Sequence, residues 1–134
     1  MQIATRRFAD TVVARPEGRI DHRSAEAFET ALAPWLAEAG ARRGPLVLDF
    51  SAVEYISSVG LRVLMVAARR MREQEAPLLV AALRGVVAEI FAISRFDRIL
   101  IVAATLDDAL ATCSPEALAQ YRSENRSANP ETAP

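Results

Sequence analysis

An α/β fold, with a mixed β-sheet that is parallel in its core and antiparallel at an N-terminal edge, is what this 134-residue sequence predicts. Three observations carry the prediction. From Leu46 onward, short apolar runs alternate with helical patterns in the order β-α-β-α-β-α, which calls for parallel crossovers with helices packed on the sheet. Those runs are nearly continuous, as strands buried on both faces are. Two further strand candidates precede them and are expected to pair as the antiparallel edge.

Ile3 to Phe8 is the first of these candidates and Thr11 to Ala14 the second, before Pro16-Glu17-Gly18 breaks the pattern. Ser24 to Ala39 reads as a helix, because Ala25, Phe28, Leu32, Trp35 and Leu36 recur at helical spacing. Asp21 or Ser24 is its expected N-cap. Pro34 is expected to kink it or end its regular part, and Gly40 and Gly44 punctuate its exit. Pro45 to Phe50 is an apolar run suited to a buried strand, and Ser51 to Ser58 is expected as a connecting loop. Val59 to Glu75 is helical again. Leu61, Leu64, Met65, Ala68 and Met71 form its apolar stripe, with Arg62, Arg69, Arg70 and Arg72 off the stripe or near its end. Arginines in the last turns complement the helix dipole.

Pro77 to Leu83 is the third apolar run and the expected central strand. Val86 to Ile93 is a short helix with Ile90 and Ile93 as core residues, and Ile99 to Ala103 is another strand. Thr105, answered three residues on by Asp108, has the form of a capping box. The helix it opens runs to about Thr112 or, past Pro115, to Ala119. The domain is thus expected over residues 1–119 with about four helices. Residues 120–134, polar and Pro-containing, are expected to be a disordered tail.

Composition narrows the function classes. Half of the residues are apolar, enough for one domain-sized core. The 16 basic residues, all Arg, nearly cancel 17 acidic ones, so no basic excess points to nucleic acid or an anionic membrane. A single cysteine, Cys113, allows no intrachain disulfide and suits a reducing cytoplasm. No apolar run approaches the length of a membrane span, and the first residues do not read as a secretory signal.

Enzyme chemistry has little to work with. There is one histidine, His22, and no HxH, HExxH or CxxC spacing for a metal. Phosphate-cradling glycine motifs and Gly-x-Ser-x-Gly are missing as well. No catalytic residue and no cofactor is expected. What remains is the stretch from Leu46 to Met65, where a buried strand gives way to two serines just before a helix. A serine there caps backbone N–H groups. A phosphate there would meet unpaired amides and the positive end of the helix dipole, and would add about −1.5 to −2 charge. The residues alone leave the plain cap and the phosphate switch both open.

The run Leu48-Asp49-Phe50-Ser51-Ala52-Val53-Glu54-Tyr55-Ile56-Ser57-Ser58-Val59-Gly60-Leu61 resembles the signature of the STAS domain family, in particular the bacterial anti-sigma factor antagonists. Gly18-Arg19-Ile20-Asp21 and Thr105-Leu106-Asp107-Asp108-Ala109-Leu110 are similar to further parts of that pattern, so the resemblance spans about Ile3 to Ala119. The resemblance implies that Ser58, second before Gly60, accepts phosphate. Ser57 stands where the family often has Asp, which makes it a rival acceptor, and Val59 stands where Ser or Thr is common. Asp21 matches an acidic residue near the phosphosite. Partner contacts are implied for Asp21, Glu54, Ser57, Ser58, Val59, Gly60 and Arg62.

The implied mechanism is partner switching. The unmodified antagonist binds an anti-sigma factor that is also a serine kinase of the histidine-kinase-like ATPase type, and so frees a sigma factor. Phosphorylation releases it, and a serine phosphatase resets it. The protein would be substrate rather than catalyst, with no direct contact to nucleic acid or membrane. Two other classes stand beside this one: a stand-alone STAS subunit docked constitutively on a transport complex, and a nucleotide- or small-ligand-binding module. The sequence leaves monomer and homodimer open.

Overall fold

Among the described residues, seven strands and five helices follow one another along the chain. The computed structural model describes residues 1–128. Its strands are β1 (Ala4–Phe8), β2 (Thr11–Arg15), β3 (Gly18–Ile20), β4 (Leu46–Asp49), β5 (Val53–Ile56), β6 (Leu78–Ala81) and β7 (Ile101–Ala103). Its helices are α1 (Ala25–Arg42), α2 (Ser58–Glu73), α3 (Gly85–Ser94), α4 (Leu106–Cys113) and α5 (Pro115–Ala128), with a 3-10 turn at Phe96–Arg98. Five strands form the main sheet in the order β1-β2-β4-β6-β7. β1 and β2 are antiparallel, and every other neighbouring pair is parallel. This is the mixed sheet expected from the sequence.

β2, β4 and β6 read as apolar runs because both of their faces are covered. Val12, Ala14, Leu46, Leu48, Leu78 and Val80 face the larger core, which α1, α2 and α3 close. Their neighbours Val13, Val47, Leu79 and Ala81 face a smaller core under α4 and α5. Each large side chain fully buried this way contributes roughly 1.5–3 kcal/mol, so the period-2 alternation fixes the strand register strongly.

Several expectations need correction. α1 does not end at Pro34. Phe28 and Leu32 before it, and Leu36 and Ala39 after it, are buried. Both halves of the helix are thus held on the core, and that packing offsets the lost backbone bond. The stop comes at Arg43, whose left-handed φ of 51° lets the Gly44 amide return to the Ala39 carbonyl. Residues 51–58 are not simply a loop, because β5 lies within them and pairs in parallel with β3. On α2 the buried set is Gly60, Leu61, Val63, Leu64, Ala67, Ala68 and Met71. Met65, expected inward, lies at the exposed edge. On α3, Val87 and Phe91 are buried and Ile90, as expected, packs partly buried against the core, while Ile93 is 83% exposed.

The C-terminal region departs furthest. The last helical stretch is broken in two at Ser114, whose extended backbone ends α4. Its hydroxyl accepts the Ala117 amide at 3.2 Å, capping α5, and Pro115 takes the first-turn position that proline tolerates. This gives five helices where about four were expected. α5 continues to Ala128, so residues 120–128 are helical rather than a disordered tail. The rest of that expectation, residues 129–134, lies outside the described residues. Tyr121 packs edge-on against Phe8, with centroids 5.4 Å apart.

Candidate functional site

The site is built on β5 and the first turn of α2. Val53 and Ile56 bury the two ends of β5, and Glu54 between them is exposed. Tyr55 is half-buried, with the Arg19 guanidinium 4.4 Å from its ring centroid. The pairing of β5 with β3 runs on into the turn, where the Ser57 amide donates to the Ile20 carbonyl at 2.8 Å.

Ser57 and Ser58 are treated differently by the fold. Ser57 is the N-cap of α2 in extended conformation. Its hydroxyl oxygen accepts the Gly60 amide at 3.3 Å, and its carbonyl accepts the Leu61 amide at 2.9 Å. Ser57 is therefore tied down through its amide, side chain and carbonyl. Ser58 is the first residue of the helix and is exposed. Its hydroxyl has no hydrogen-bond partner among the described residues. It stands at the positive end of a 16-residue helix, with first-turn amides beside it.

Gly60 explains the closeness of the helix to β3. A Cβ at this position would lie 2.8 Å from Ile56 Cγ1, 2.9 Å from Ile20 Cγ2 and 3.0 Å from the Ile20 carbonyl. Gly60 is thus buried beneath the turn rather than exposed beside Ser58, and its contribution to the site is close approach.

Asp21 follows Ile20 and organises the neighbouring loop. Its carboxylate accepts the amides of Arg23 at 3.0 Å and Ser24 at 3.3 Å. The Arg23 amide is the main cause of a carboxyl held below its ordinary pKa. The Asp21 amide donates to the Ser24 hydroxyl at 3.0 Å, and that hydroxyl donates to the Arg19 carbonyl at 2.7 Å. No hydrogen bond or ion pair joins Asp21 to either serine. Asp21 meets the site through the backbone, by fixing the loop whose Ile20 carbonyl holds Ser57.

The remaining candidates divide by exposure. Val59, 45% exposed, and Arg62, also exposed, lie on the outer side of α2 near Ser58. Glu54 lies apart from them, on an open groove shared with Ser51, Val53, Arg84 and Val86. The Arg84 guanidinium donates to the Ser51 carbonyl at 3.4 Å, tying the start of α3 to the loop before β5. Sequence reasoning missed Arg84 and Val86, because they reach this place only through the β4–β6 pairing and its following turn. Gly85 was the one local hint of that turn.

Reactive groups do not converge here. Among the described residues no group of three or more His, Cys, Asp or Glu is placed to hold a metal ion. Cys113 sits on α4, across the sheet, where desolvation pushes its thiol up and away from the reactive thiolate. No described helix is long and apolar enough to cross a membrane.

Comparison with known proteins agrees with this architecture. The family model described as STAS domain matches residues 2–109. A proposed anti-sigma factor antagonist of Bordetella bronchiseptica, BtrV, is 33% identical over 111 residues, covering 83% of this chain and 93% of the relative. The crystal structure of an anti-sigma factor antagonist from Mycobacterium paratuberculosis is similar with a TM-score of 0.73 at 28% identity, covering 84% of this chain and 92% of that one. A proposed anti-sigma factor antagonist from Thermotoga maritima shares the fold with a TM-score of 0.75 at 18% identity, over 83% of this chain and 93% of that one. With the signature stretch folded as strand, capped turn and helix, and the family model spanning both ends of the sheet, the chain belongs to the STAS domain family.

Proposed function

We propose that this chain is an anti-sigma factor antagonist of the partner-switching kind, released from its partner when Ser58 is phosphorylated. The partner is an anti-sigma factor that doubles as a serine kinase of the histidine-kinase-like ATPase type, and a serine phosphatase restores the binding form. The observation that carries this reading is the division of labour between the two serines. Ser57 is used as the cap of α2, whereas the Ser58 hydroxyl is exposed and unengaged at the helix's positive end. A kinase reaches Ser58 without breaking a cap. The phosphate it leaves is stabilised by the dipole and adds about −1.5 to −2 charge to the docking patch. The likeness to BtrV and to the mycobacterial antagonist supports the partner class.

The test is mass spectrometry of the wild-type chain, Ser57→Ala and Ser58→Ala after incubation with the cognate kinase and ATP. Wild type and Ser57→Ala should take one phosphate each, and Ser58→Ala none. Ser57→Ala should also lower stability by about 1 kcal/mol through the lost cap. Phosphate on Ser57, or none on wild type, would sink the proposal.

A further inference from the structure

The outer side of α2 carries more than its first turn. Ser58 and Val59 are followed, at helical spacing, by the exposed residues Arg62, Met65, Val66, Arg69 and Arg72. The stripe is about 21 Å long at 1.5 Å per residue. Val59, Met65 and Val66 are 45%, 36% and 50% exposed, which places three large apolar side chains among three arginines. The helix bears no acidic residue before its last, Glu73. None of the three arginines has an ion-pair partner among the described residues. Six other arginines, Arg6, Arg7, Arg19, Arg42, Arg43 and Arg122, pair with the chain's own carboxylates. What sets the α2 arginines apart is that they alternate with three exposed apolar side chains on one helix face.

We infer that this stripe docks on an acidic, partly apolar surface of a protein partner, with Arg69 and Arg72 as anchors remote from Ser58. The inference rests on the function proposed above and gives its partner a chemistry. Charge complementarity selects an acidic face, and the interleaved Val59, Met65 and Val66 fit shallow apolar hollows in it. A protein fits better than a membrane or nucleic acid. The opposite side of α2 is packed in the core, so only Val59, Met65 and Val66 could enter lipid. The chain as a whole carries a net charge of −1, which opposes an extended anionic surface. The stripe also explains how a phosphate at one end acts on the whole contact. Phosphoserine at 58 lies one turn from Arg62, in the i, i+4 relation that favours pairing. It draws Arg62 away from the partner's carboxylates and sets its own negative charge against them.

Titration calorimetry with the purified kinase, at about 50 mM and about 500 mM NaCl, tests this, because screening separates charge-driven from apolar docking. Wild type is compared with Arg69→Glu/Arg72→Glu and with Arg15→Glu/Arg126→Glu, which makes the same charge change away from α2. Phosphate on Ser58 is read in parallel. The α2 double variant should bind about tenfold or more weakly at low salt. The control should stay within about twofold of wild type, and wild-type affinity should fall steeply with salt. Affinity independent of Arg69, Arg72 and salt, with Ser58 still phosphorylated, would overturn the stripe and leave the switch standing. Arginine-dependent binding without phosphorylation would overturn the switch and leave the stripe. Retention of wild type on phosphatidylserine vesicles or duplex DNA, lost in the same double variant, would overturn the assignment to a protein. No binding to the kinase at low salt would overturn both.

Discussion

Helices α2 and α5 both carry charged residues on their outer flanks, but among the described residues only those of α5 pair within the fold. On α5, Arg122 pairs with Asp107 at 3.3 Å, Glu124 pairs with Arg6 of β1 at 3.0 Å, and the Gln120 side chain accepts the Ala9 amide at 2.6 Å. These contacts add to the packing of Ala117, Leu118 and Tyr121 that seats α5 on the sheet. On α2, seven buried residues hold the helix, so its flanking arginines are not needed for the fold. Charge tied inward is part of the architecture, and charge left outward on a helix already secured by packing is available to a partner.

That contrast is broken most severely by exchanging the two sides of α2. Leu64 is fully buried and Met65 beside it is exposed. Leu64→Ala should lower stability by about 2–5 kcal/mol through lost burial and the cavity left behind. Met65→Ala should stay within about 0.5 kcal/mol. Urea unfolding of the two variants measures both, and comparable losses would mean that α2 sits rotated from its described position. Next in size is Gly60→Ala. Its new methyl meets the Ile20 carbonyl as well as two side chains, so the helix must move off β3 at a cost of about 1–3 kcal/mol. Because Ser57 bonds to the same carbonyl, the shift should also slow phosphate uptake at Ser58, followed with the cognate kinase. A Gly60→Ala protein as stable as wild type would show that the close approach is dispensable.

These two helices also mark how much the sequence could reveal. β2, β4 and β6 were legible because burial on both faces leaves an uninterrupted apolar run, and α1 and α2 because one face repeats at 3.6 residues. β5 reads as loop in the sequence because only Val53 and Ile56 of it are buried. Its partner β3 is three residues long and more than 30 positions away, so no local period betrays the pair. On α3, apolar residues surround the helix, and periodicity could not choose Val87 and Phe91 over Ile93. The far part of α5 reads as tail for a related reason. Its holding contact from Glu124 reaches Arg6, 118 positions back, which composition cannot show. At the site, the pair Ser57-Ser58 was visible at once. The residues alone could not separate cap from acceptor, because that depends on which hydroxyl faces the Gly60 amide. The resemblance pointed to Ser58, and the geometry gives Ser57 the cap.

Arg69 on α2 and Glu124 on α5 each carry one charge whose removal distinguishes the two helices. The Arg6–Glu124 pair is half-exposed, at 59% and 41%, so its worth lies in the range of about 0.2–1 kcal/mol for such pairs. Glu124→Gln should therefore lower Tm by a few degrees at most at low salt, roughly 3 °C per kcal/mol in a domain of this size. The difference from wild type should shrink near 1 M salt, where the screening length falls to about 3 Å. Arg69→Gln removes a charge with no partner to lose and should leave Tm unchanged at either salt concentration. Amide exchange would place the Glu124→Gln effect in the last turns of α5, since Tyr121 still anchors the helix to Phe8. If Arg69→Gln lowered Tm as much as Glu124→Gln, the α2 arginines would be stabilising the fold. Their outward display would then be no guide to a partner.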